Sequence, residues 1–170
     1  MIKLPDSISP KESRTIISSG GVVFRTALDD ANNWEFLLLR HKRGHHWDFP
    51  KGRREKGEND LQTAKREIFE ETGIGPQKLK ILKRLKKTVR YTVRRGSLLL
   101  PKEVRLFLIK VGNVANEDTI LSNEHTSFAW LSYGEALKRI TYNSSRKILM
   151  EAQSWIENNL TLIEPAFFRR

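Results

Sequence analysis

The stretch GRREKGENDLQTAKREIFEETGI, residues 52–74, decides how this chain is read. It sets Gly52, Glu58, Arg66, Glu67, Glu70, Glu71 and Gly73 at fixed spacing, with aliphatic Ile68 and Ile74 between and after them. Asn59 and Asp60 can cap a helix N-terminus, Leu61 to Thr72 contains good helix formers with no Gly or Pro, and Gly73 follows as a stop signal. On such a helix Glu67 lies one turn before Glu70 and Glu71, so the carboxylates leave nearly one face. Leu61, Ala64 and Ile68 form the opposite stripe and are expected in the core. Like charges so spaced repel, and a hard divalent cation would reverse the sign of that interaction. An isolated E-x-x-E-E would read as a solvated acidic face, with Arg66 pairing locally. The full pattern is far more specific, with a chance match at any one window of roughly 10⁻⁹ from average residue usage.

Composition sets outer bounds. A chain of 170 residues suggests one domain able to fold alone. Without cysteine there is neither a disulfide nor a thiolate metal site. Apolar runs such as Phe36 to Leu39 and Leu98 to Pro101 are too short to span a membrane. MIKLPDSISPKES at the N-terminus lacks the apolar run of a signal peptide, so a cytoplasmic location is expected. The formal net charge is +11, and Lys78 to Arg95 carries much of it without one acid. Such a surface suits a polyanionic substrate and would also attract RNA, although a solubilising surface has the same composition.

Residues 1–14 read as an N-terminal extension, 15–159 as the domain and 160–170, ending AFFRR, as a tail. Thr15 to Arg25 reads as a strand interrupted at Gly20-Gly21, a place for backbone to approach a ligand. Trp34 to His41 is a buried strand and Gly44 to Lys51 a loop into the helix. Leu79 to Val93 and Leu98 to Val111 flank Arg94-Arg95-Gly96-Ser97 as a hairpin. In its second arm Val104, Leu106 and Leu108 alternate with Glu103, Arg105 and Phe107. A polar loop over 112–123 precedes a short strand, Phe128 to Leu131. Tyr133 to Ile140 and Ser144 to Asn159 read as helices, the second with Ile148, Ala152, Trp155 and Ile156 as its apolar stripe. Together these elements give an α/β sandwich.

The pattern G-x5-E-x7-R-E-U-x-E-E-x-G-U, with U aliphatic, resembles the signature of the Nudix superfamily. That resemblance implies an α/β/α sandwich with a mixed β-sheet, in which residues 52–74 form a loop-helix-loop. It also implies hydrolysis of phosphoric anhydrides with Mg²⁺ or Mn²⁺. HHWDFPKG (His45 to Gly52) and LSNEHTSFAWL (Leu121 to Leu131) are similar to segments of the asymmetrical diadenosine tetraphosphate hydrolases. The implied substrate is a dinucleoside polyphosphate, cut to a nucleoside triphosphate and a monophosphate. By the same resemblance, Glu67, Glu70, Glu71, Glu124 and the Gly52 carbonyl hold metal. Glu58 and Arg66 orient the loop and the carboxylates. Lys51, His46, His125 and Tyr91 meet phosphate or base, with either Arg90 or Lys87 on the phosphate chain. Trp47 is expected to pack beneath the loop. Which glutamate acts as general base is not readable from the sequence.

Three other functions fit parts of the chain. Removal of pyrophosphate from RNA 5′-triphosphate ends, or decapping-like removal of a cap, would use the basic hairpin. A diphosphoinositol polyphosphate or nucleoside diphosphate sugar would suit the same box. A non-catalytic nucleotide- or RNA-binding module would not need the intact box. A monomer is the default expectation, with no membrane partner.

Overall fold

The computed structural model describes residues 15–28, 33–112 and 114–163. The 1–14 extension and Phe167-Phe168 of the tail lie outside the described residues. Eight strands form one sheet: β1 (Ile16–Thr26), β2 (Trp34–His41), β3 (Trp47–Asp48), β4 (Lys51–Arg53), β5 (Leu79–Arg84), β6 (Val89–Arg95), β7 (Leu98–Val111) and β8 (His125–Ser132). The helices are α1 (Asp60–Thr72), α2 (Tyr133–Arg139), α3 (Asn143–Asn158) and a single turn, α4 (Leu160–Ile163).

The spine is β1 beside β7, parallel and in register from Ile16↔Lys102 to Phe24↔Lys110. All other pairings are antiparallel. One edge of β1 is divided between two partners: β2 takes Phe24 to Thr26, and β4 takes Ser18 to Gly20. The chain between β2 and β4 is thereby held near the middle of the sheet.

Alternation in the strands feeds two cores. On one face Val22, Phe24, Phe36, Leu38, Leu106 and Leu108 pack with Ile148, Ala152 and Ile156 of α3. On the other, Val23, Leu37, Leu39, Phe107 and Ile109 pack with Ala64 and Ile68 of α1. The sheet is therefore covered on both sides, by α3 on one face and α1 on the other. Ile68 is fully buried, and truncating it to Ala would cost about 2–5 kcal/mol.

The structure refines four sequence expectations. Gly20 and Gly21 do not interrupt β1, and what approaches them is protein: a Cβ at Gly20 would strike Pro50 and Lys51, and one at Gly21 would strike Ile68 and Ile109. The 44–51 loop contains β3, paired to β2 through Leu39↔Asp48 and Arg40↔Trp47, and runs into β4. The hairpin's first arm is two strands, β5 and β6, because Leu85 turns into the core between them. Its turn is only Gly96-Ser97, with Gly96 at φ 59 as a tight hairpin requires.

Candidate active site

α1 begins with a reciprocal cap. Asn59 Oδ1 accepts from Gln62 N at 2.9 Å, and Gln62 Oε1 accepts from Asn59 N at 2.8 Å. It ends at Gly73, in the left-handed region at φ 71, whose N–H donates to Phe69 O at 2.8 Å. Both ends of the acidic helix are thus fixed by local chemistry.

Arg66 organises the acids. Its Nε donates to Glu58 Oε1 at 2.6 Å, and its Nη1 donates to Glu67 Oε1 at 2.8 Å and Glu70 Oε2 at 2.9 Å. Its Nη2 donates to the Arg53 carbonyl at 3.0 Å, which ties the helix to β4. Glu58 also accepts from Glu55 N at 3.0 Å and Thr63 Oγ1 at 2.8 Å. These donors, Arg66 first, hold the Glu58 carboxyl down to about 2.

The other carboxylates grade from buried to open. Glu71 is 6% exposed; its Oε2 accepts from Lys51 N at 2.9 Å. Burial above all, with the charges of Glu67 and Glu124, pushes its carboxyl up to about 8 against the pull of Lys51. Burial also raises Glu67. The Glu67 carboxyl lies against Gly52 so closely that any Cβ there would overlap it. Glu70 is the outermost of the helix acids, and Glu124 reaches the same cleft from the loop before β8.

These groups line a cleft of about 1000 Å³ whose wall also includes Lys51, His46 and Tyr91. Lys51 is partly buried, and its Nζ pairs with Asp48 Oδ2 at 3.0 Å, which keeps it charged. Beside this cleft is a more apolar concavity of about 310 Å³, with Val89, Leu106, Tyr91, Tyr142 and Ser144 in its lining. His46, Lys51 and Tyr91 line both spaces. Trp47 packs against the core with Arg139 5.0 Å over its ring, as expected for a residue beneath the loop.

Two expected contacts lie elsewhere. Arg90 is outside the cleft, and its Nε pairs with Glu103 Oε2 at 3.0 Å; strand alternation turns it away from its neighbour Tyr91. Lys87 is outside too, at the junction where its N–H donates to Glu151 of α3. Cations from other positions, Arg53, Lys56, Arg95 and Lys102, line the mouth instead. His125 is buried behind Glu71, with Nε2 3.7 Å from Glu71 Oε1 and Nδ1 3.1 Å from Ser122 Oγ. Its Nε2 makes no hydrogen bond among the described residues, and it does not line the cleft.

The sequence reading passed over Tyr142, His41 and Asp48. Tyr142 precedes α3 and has its ring 5.3 Å from that of His46, a proximity no local spacing signals. His41 stacks on His46 at 4.2 Å and 15°, and its ring is also 4.5 Å from His125. Asp48 stands in the HHWDFPKG segment, and its acidic side chain beside Lys51 was the available signal.

The donor set suits a hard divalent cation. Four carboxylates and the Gly52 backbone meet at one cleft, and two of the acids are raised by burial and mutual repulsion. Among the described residues no three acidic or imidazole groups already converge on one point, because Arg66 holds Glu67 and Glu70. A cation would compete with that guanidinium for the same oxygens.

Comparison with known proteins agrees with this geometry. The model of the NUDIX domain matches residues 20–152. The mouse asymmetrical bis(5′-nucleosyl)-tetraphosphatase is 36% identical over 141 residues, covering 81% of this chain and 92% of the mouse protein. The binary complex of the Caenorhabditis elegans Ap4A hydrolase superposes with a TM-score of 0.71 at 29% identity, covering 85% of this chain and 99% of that one. An RNA pyrophosphohydrolase of Pseudoalteromonas atlantica is 29% identical over 106 residues, 56% of this chain and 61% of the other. With its box intact and its fold shared over most of its length, this chain belongs to the Nudix family.

Proposed function

We propose that this protein is a metal-dependent hydrolase of dinucleoside polyphosphates that cuts diadenosine tetraphosphate to ATP and AMP. The observation that carries the reading is the aromatic slot beside the acidic cleft, joined to it through His46, Lys51 and Tyr91. A nucleobase stacks between Tyr91 and Tyr142, with apolar Val89 and Leu106 behind. The attached phosphates then pass Lys51 and reach the carboxylates.

Nudix hydrolases generally use divalent cations, and Mg²⁺ or Mn²⁺ is the proposed ion here. Glu67, Glu70, Glu71, Glu124 and the Gly52 carbonyl would hold it. When bound, such an ion neutralises phosphate oxygens and lowers the pKa of water. The protein supplies the rest. Lys51, held charged by Asp48, sits where negative charge grows on the phosphate chain. A cleft carboxylate takes the proton of the attacking water. The water oxygen forms the new bond to phosphorus, the P–O–P anhydride breaks opposite it, and the leaving phosphate departs as an anion. Glu58 and Arg66 hold the carboxylates and β4 in register.

A second reading, removal of pyrophosphate from 5′-triphosphate RNA, draws on the cations at the mouth and on the RNA pyrophosphohydrolase relative. Parallel incubations of the two substrates with Mg²⁺ decide between them. The dinucleotide reading expects fast dinucleotide cleavage, slow action on RNA, and loss of both with a chelator. Fast pyrophosphate release from RNA with the dinucleotide left intact would overturn it. We also place the protein in the cytoplasm as a monomer, which fractionation and light scattering would check.

A further inference from the structure

Beyond the acidic cleft lies a third space, of about 600 Å³, that the proposed chemistry leaves unused. The turn between β2 and β3 contributes Lys42 and Arg43; the loop before β8 contributes Asn123 and Glu124; His41 and His46 form the wall. His41, His46 and Glu124 also line the acidic cleft, so the two spaces communicate.

The turn is firmly built. His41 N donates to His46 O at 2.9 Å, and Lys42 N donates to Glu124 O at 2.8 Å, which ties the turn to the opposite loop. Gly44 at φ 80 and His45 at φ 50 reverse the chain through the left-handed region. His41 and His46 stack on each other, and their rings also lie 4.5 Å from that of His125 and 5.3 Å from that of Tyr142 respectively, which fixes the two imidazoles at the side of the space. His41 Nε2 is a buried atom without a hydrogen-bond partner among the described residues. Lys42 and Arg43 are exposed and form no ion pair among the described residues.

A dinucleoside polyphosphate has two ends. The Tyr91–Tyr142 slot accommodates one nucleoside, and Lys51 with the carboxylates accommodates the phosphates. The other nucleoside must leave the cleft beside them. The hairpin side of the mouth presents Arg95 and Lys102, which suit the phosphate chain. The third space presents the two imidazoles, an amide with donor and acceptor in Asn123, and two cations for the adjoining phosphate. We propose that this space is the subsite for the second nucleoside, with Arg43 and Asn123 as its specificity-determining residues. The proposal rests on the dinucleotide reading and deepens it, because it predicts preference for a two-ended substrate over a mononucleotide with as many phosphates.

The test is the ratio of kcat/KM on diadenosine tetraphosphate to kcat/KM on adenosine 5′-tetraphosphate, with Mg²⁺, for the wild-type protein, Arg43→Ala and Asn123→Ala. The ratio is expected to fall about tenfold in each variant, as loss of one base or phosphate contact implies. Thermal unfolding of each variant confirms that it is folded. An unchanged ratio, whether both rates fall together or neither does, overturns the subsite while leaving the dinucleotide reading intact. Failure of the wild-type protein to cleave either compound would instead overturn the parent reading, and the subsite with it.

Discussion

Helix α1 and the β6–β7 hairpin border the same cleft, yet their side chains got there by different rules. In α1 the defining relations are local: Arg66 meets Glu67 and Glu70, and the cap joins Asn59 to Gln62, with longer contacts to the adjoining β4 segment and the loop before β8. In the hairpin the relations are long-range. Tyr91 stands opposite Lys102 because of the β6–β7 register, and it meets Tyr142 across a concavity built from a third element. Local chemistry fixes the reaction, and distant packing shapes the space that admits a substrate. Mutations in the two regions should therefore fail differently.

The largest effect is expected in α1. Glu71→Gln removes a buried carboxylate while retaining its size and the acceptor for Lys51 N. Activity should fall by roughly 10³-fold or more, since such groups act only with the transition state. Circular dichroism should show a folded protein, and a fall of less than tenfold would separate the helix from the chemistry. Gly52→Ala should come next, at roughly 10²-fold in kcat. Its Cβ would displace the Glu67 carboxyl, and a crystal structure of the variant would show the shift.

The hairpin side should respond in KM. Tyr142→Ala is expected to raise KM for the dinucleotide about tenfold with kcat nearly unchanged, the cost of one lost stacking contact. Arg90→Ala should change both constants less than about twofold, because surface ion pairs contribute little and this one faces away from the cleft. A strong Arg90 phenotype would mean that the hairpin moves when substrate binds.

The extent to which the sequence was legible follows the same division. The seven box residues, both helix ends and the core stripe of α1 follow from spacing and caps, and the structure has them in those places. The alternation in 98–111 likewise placed Val104, Leu106 and Leu108 on one face, and they share one core. Arg90 was misplaced because a charged run does not say which residues face in; only the register of β6 does. His125 was read as a phosphate contact, and it is buried because β8 begins earlier than its apolar residues suggest. His41 and Tyr142 gave no signal, since their neighbours come from other elements.

His41 yields the smallest effect. Burial foremost, helped by Lys51, lowers its pKa from 6.5 to about 3. Between those values the unfolded chain binds the proton more readily, so stability from this group is complete above about pH 6.5 and declines as the pH falls toward 3. The slope is at most about 1.4 kcal/mol per pH unit, and less because the ring is partly exposed. Glu71, raised to about 8, works in the opposite sense above pH 4.5. The informative quantity is thus the difference between wild-type and His41→Asn denaturation at pH 7.5 and pH 5. The variant should lose less stability on acidification, and parallel curves would exclude a His41 held neutral in the fold.

The central claim joins the two regions: α1 cuts the anhydride that the aromatic slot presents to it. Its most direct test is the identity of the products from diadenosine tetraphosphate with Mg²⁺, resolved by ion-exchange chromatography. The account predicts ATP and AMP in equal amounts, and none with a chelator present. Release of two ADP would contradict it, because the slot would then hold the substrate's phosphates in a different register over the carboxylates.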